Sequence, residues 1–174
     1  MIIHRPPIAA ITQWLTDSAG DAPGSPNTIP WRIAKISEEI GEVVEAYRAS
    51  DMTATRHELC DVILTAEVAA FSIDPDTLPR PIEHPYEFTR DGGGYLLDIV
   101  SAAGRASAAL SGMIGRNPRK GVTHTPQQTV QALHDLAQAA ATMLAAFEHP
   151  HGPQSFFNAH LERVVQRIPS TQIL

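Results

Sequence analysis

The chain has 174 residues, 43% of them hydrophobic and 6% aromatic, enough for one domain with a substantial core. Its formal net charge of −6 argues against a broad nucleic-acid surface. A single cysteine excludes an intrachain disulfide and fits a reducing compartment.

Ile8, Ile11 and Leu15, with Trp14, predict a short first helix from about Pro7 to Asp17. Residues 18–27, rich in Gly, Pro, Ser and Asn, read as a loop. Pro30 suits the first turn of a second helix that runs to about Ala49. On a helical wheel Ile33, Ile36, Ile40, Val43, Val44 and Tyr47 share one apolar arc. Lys35, Glu39 and Glu42 flank that arc, and Glu38 and Glu45 lie beyond them. Carboxylates this closely spaced repel one another, so a positive group is expected among them.

A third helix is predicted from about Thr53 to Phe71. It is apolar on most of its circumference, with Leu59, Val62, Ile63, Ala66 and Ala70 on one side and Leu64 and Val68 on the other. Such a helix is normally buried, and Cys60 on it reads as a small core residue. Glu58 and Asp61 would then lie at the edge of a core, where a carboxylate must be protonated, ion-paired or metal-bound. Glu39 and Glu42 facing Glu58 and Asp61 across two packed helices make an all-oxygen cage suited to Mg²⁺ or Mn²⁺.

The pattern Glu38-Glu39-x-x-Glu42 followed by Glu58-x-x-Asp61 resembles the EExxE…ExxD signature of the MazG-like, all-α nucleoside triphosphate pyrophosphohydrolases. Lys35, Gly41 and the run Asp61-Val62-Ile63-Leu64 fit as well. The resemblance implies that Glu39, Glu42, Glu58 and Asp61 hold Mg²⁺ and that an NTP is cleaved to NMP and pyrophosphate. It also implies that Glu38 orients or deprotonates the attacking water, and that small relatives pair as homodimers. Phosphoribosyl-ATP and dUTP are alternative substrates within the same chemistry.

Residues 74–94 contain Pro75, Pro79, Pro81 and Pro85 and end in Gly92-Gly93-Gly94, which reads as an irregular connector. No Lys-Ser/Thr follows the glycines, so they form no phosphate loop. Beyond the connector lies a worn copy of the first half. Ala103-Gly104-Arg105 aligns with Ile40-Gly41-Glu42, and Leu133-His134-Asp135 with Leu59-Cys60-Asp61. Only Asp135 keeps an acid, so the copy is not expected to hold a metal. Arg105 and the basic loop residues Arg116, Arg119 and Lys120 are candidate phosphate contacts, as is Lys35 in the first half. Phe156, Phe157, Leu161, Val164 and Val165 predict a closing helix from Gln154 to about Arg167, with both phenylalanines in the core.

Eight histidines occur, none in a His-Glu-x-x-His spacing. His149-Pro150-His151-Gly152 reads as a surface turn, and Trp14 and Trp31 both read as core residues. No stretch reaches the roughly 18 apolar residues of a membrane span, and Met1 to Pro7 lack a signal-peptide apolar region. The expectation is a cytoplasmic all-α bundle with a metal-binding half (1–73), a connector (74–94), a degenerate half (95–148) and a closing helix (149–174). Mg²⁺-dependent NTP hydrolysis is its expected activity; a non-catalytic nucleotide-binding or helical interaction module is the rival from another class.

Overall fold

The computed structural model describes residues 1, 4–21, 25–77, 91–147 and 152–168. Among them it contains six helices and no strand. Helix α1 (Arg5–Ala19) stops at Gly20, whose φ of 70° is open to glycine at no steric cost. Helix α2 (Ile29–Arg48) begins with Pro30 in its first turn. It ends in a tight turn in which Ser50 adopts a left-handed φ of 57° and Asp51 N–H donates to Ala46 O at 3.0 Å. Asp51 also starts α3 (Met52–Ile73), its carboxylate accepting from Ala54 N–H at 2.9 Å. The chain thus reverses within three residues and lays the two acidic helices side by side.

Helix α3 is buried continuously from Val62 to Ala70, as its all-round apolar sequence requires, and Cys60 is buried with it. Its neighbours are α1, α2, α5 and α6. Helix α4 (Gly92–Met113) contacts α2 and α5 (Pro126–Phe147). The pairs α2–α3, α3–α5, α5–α4 and α4–α2 therefore close a four-helix ring around one core, on which α1 and α6 (Pro153–Gln166) are laid. No helix among the described residues is long and apolar enough to cross a membrane.

Most helix ends fall within two residues of the reading of the sequence, but the start of α4 changes the role of the glycines. The three glycines do not end a connector; they form the first turn of α4. Asp91 caps that turn by accepting from Gly94 N–H at 2.8 Å, which offsets the poor helix propensity of glycine. A Cβ at Gly92 would run into the ring of Tyr47, so this glycine lets α4 approach α2. Residues 78–90, with Pro79, Pro81 and Pro85, and the histidines at 149 and 151 lie outside the described residues.

The seam between α3 and α5 contains a buried polar pair. Glu67 Oε1 and His134 Nδ1 lie 3.0 Å apart, the two side chains being 3% and 6% exposed. His134 Nε2 is buried without a hydrogen-bond partner. Its neighbour Asp135 is exposed and accepts from Gln131 on its own helix.

Candidate metal centre

Glu39 on α2 and Glu58 and Asp61 on α3 each bring an oxygen into a set lying within 4.8 Å of one another. Among the described residues they are the one such group of potential ligands. The helical repeat explains the convergence: Glu58 and Asp61, three residues apart, share the face that α3 turns toward α2. Glu39, which the wheel places on the flank of the apolar arc, is buried. Glu42 is exposed and stands outside the set, although it lies within hydrogen-bonding reach of Glu39.

Burial raises the pKa of Glu39 to about 7. The hydrogen bond and charge of Lys35 work against that rise, while Asp61 and Glu42 add to it. Burial also raises Glu58, helped by the charges of Asp61 and Glu42 and opposed by His160 and Lys35. An acidic group this close, with ionisation suppressed in two of its members, lacks positive charge. A hard divalent cation matches that shortage and the all-oxygen donor set.

In the protein alone, Lys35 supplies part of the missing charge. Its Nζ lies 2.6 Å from Glu39 Oε1 and 3.1 Å from Glu38 Oε1. Although burial works against its charged form, these hydrogen bonds raise its pKa above the ordinary lysine value. The positive group expected among the α2 acids is therefore Lys35. Glu38 is exposed and paired with it.

The remaining cations expected at the site stand elsewhere. Arg105 is exposed on α4 and donates to Ser101 of the same helix at 2.8 Å. Arg116, Arg119 and Lys120 are exposed in the turn after α4, where Asn117 organises the backbone by accepting from Arg119 N–H at 3.0 Å. None of the four contributes to the electrostatics of Glu39 or Glu58.

Three residues unforeseen at the site come to it from α6 and the start of α3. His160 Nε2–H donates to Asp61 Oδ1 at 2.9 Å. The Nδ1 atoms of His160 and His57 lie 3.2 Å apart, and Arg163 Nη2 is 3.1 Å from His57 Nδ1. Burial lowers the pKa of His57, with Arg163 and His160 adding to the effect and Asp61 opposing it. Phe157 is in the core as expected, whereas Phe156 is half-buried with its ring 4.9 Å from that of His57. A signal for His160 was present: with Phe157, Leu161 and Val164 it shares the apolar stripe of α6, where an unpartnered imidazole would be costly.

Beside the acids lies a cleft of about 890 Å³ between α1, α2 and α3, which Glu39 and Asp61 help to line. Ile11, Leu15, Leu64 and Val68 give it apolar walls. Trp31, expected in the core, is 79% exposed and lines the cleft, whereas Trp14 packs against the core. Arg32 also lines it, half-buried and with no carboxylate partner among the described residues; desolvation pushes its pKa down. No family model, curated protein or solved structure matches the chain.

Proposed function

We propose that the protein is a Mg²⁺-dependent nucleoside triphosphate pyrophosphohydrolase of MazG-like type. The observation that carries this reading is the convergence of Glu39, Glu58 and Asp61, two of which, Glu39 and Asp61, line an apolar cleft of nucleoside size. The sequence resemblance in the EExxE…ExxD pattern supports it.

Glu39, Glu58 and Asp61 would hold the cation, with Glu42 beside Glu39 as a further carboxylate. Mg²⁺ supplies charge neutralisation on phosphate oxygens, and Mn²⁺ substitutes for it. The apolar walls of the cleft exclude water from the base, and the exposed face of Trp31 offers it a stacking surface. Arg32 takes the phosphate-binding role expected of Arg105, Arg116, Arg119 and Lys120, because it lines the cleft, as they do not, and has no carboxylate partner among the described residues. Lys35 exchanges Glu39 for a phosphate oxygen when the acids gain another counter-charge. Glu38, released from Lys35 by the same exchange, accepts a proton from the attacking water.

The test is pyrophosphate release from a panel of NTPs and dNTPs in Mg²⁺, Mn²⁺ and EDTA. Metal-dependent release of pyrophosphate, with no orthophosphate, is expected. Nucleotide quenching of Trp31 emission in a W14F background, without turnover, would instead identify a non-catalytic nucleotide-binding module. Neither turnover nor quenching would remove the nucleotide reading altogether.

A further inference from the structure

The cation reading leaves unused the imidazole that α6 delivers to Asp61. His160 is 10% exposed, and its Nε2 is committed to Asp61 Oδ1 at 2.9 Å. It belongs to no set of donors within 4.8 Å that includes Glu39 and Glu58, so it is not itself a ligand of the shared position. A carboxylate joined to its helix by a rotatable side chain sweeps several orientations unless something holds one oxygen. Asp61 is 34% exposed at its side chain, and among the described residues no hydrogen bond from α2 holds it. His160 supplies that hold, and the ring is in turn fixed at its other nitrogen by His57 Nδ1 at 3.2 Å. Arg163, one turn further along α6, reaches the same His57 nitrogen at 3.1 Å.

We propose that His160 is the positioning residue of the cation site. By donating to one oxygen of Asp61 from α6, it leaves the other oxygen to a divalent cation shared with Glu39 and Glu58. Ligand-holding hydrogen bonds of this kind typically contribute ten- to a hundredfold to metal affinity. The proposal rests on the cation reading above and extends it to a helix that carries none of the acids. It makes cation affinity a property of two regions far apart in sequence, since His160 and Asp61 are separated by 99 residues.

The test is Mn²⁺ binding to the whole chain, followed by the electron paramagnetic resonance signal of the free ion. It is made on the unmodified protein, H160Q, H160N and E58Q, each first shown to unfold cooperatively. A glutamine amide nitrogen takes the position of the imidazole Nε2 and can donate to Asp61. An asparagine amide takes the position of Nδ1 and cannot reach. H160Q is expected to bind within about threefold of the unmodified protein, and H160N about tenfold or more weakly. E58Q, which lacks a ligand, should lose binding. A purely structural histidine would give the two amides equal affinity. Equal or tighter binding by H160N overturns the positioning role while leaving the cation site intact. Absence of Mn²⁺ binding by the unmodified protein overturns the cation reading and the positioning role together.

Discussion

At the scale of single residues, the chemistry turns on how α2 and α3 divide the acids between water and core. Glu39 is buried and ionises near pH 7, while an unfolded glutamate ionises near its ordinary 4.5. Between those values the folded protein binds the extra proton, so this group's contribution to stability declines as pH rises through the window. Glu39→Gln removes that term. The stability of E39Q relative to the unmodified protein should therefore increase from pH 4.5 to 7 in thermal melts without divalent cations, then level off. A constant difference across the range would show that Glu39 ionises normally. Taking the difference between the two proteins cancels the opposite trend of His57, whose depressed pKa favours folding at higher pH. The acids themselves were legible in the sequence because helical spacing fixes which side chains share a face. The identity of their neighbours was not. Trp31 is exposed because no element among the described residues covers it, and the absence of a covering element leaves no mark in local periodicity.

At the scale of the helices, the bundle could be read before any contact was known. Helix α3 is apolar on most of its circumference, so it had to lie in the middle, with its acids at the edge of the core. The start of α4 could not be read the same way. Glycine is a poor helix former, and only the approach of Tyr47 explains its use at position 92. The seam of α3 and α5 is more exacting than apolar packing would be, because Glu67 and His134 must meet within the core. Glu67→Ala would leave both ring nitrogens of His134 buried without a partner. We expect a loss of about 2–4 kcal/mol in denaturant unfolding, from the buried polar group and the cavity together. The double replacement E67L/H134L should recover a large part of that loss, since an apolar pair satisfies the seam without hydrogen bonds. If E67A unfolded at the same denaturant concentration as the unmodified protein, the pair would have no part in the stability of the seam.

For the molecule as a whole, the reading implies that cation binding and folding are linked. Glu39, Glu58 and Asp61 repel one another in the native state and disperse on unfolding, so a cation that joins them stabilises only the folded form. At a hundredfold excess over its dissociation constant the gain is about 2.7 kcal/mol. For a chain of this size that raises Tm by roughly 5–10 °C. Thermal shift should register the rise with Mn²⁺ and none with E58Q, and a rise of the same size in both proteins would place the ion elsewhere.

The bond from α6 to Asp61 also has a meaning in time. During synthesis the acids of α2 and α3 leave the ribosome long before the imidazole that steadies one of them, with 99 residues of chain still to be made. At about 5–20 residues per second that interval is on the order of 5–20 s. Glu39, Glu58 and Asp61 are therefore all made while Asp61 still lacks the bond that steadies it. On the cation reading, the grip on an ion matures only when α6 arrives, so a helix made later acts as a timer on acids made earlier.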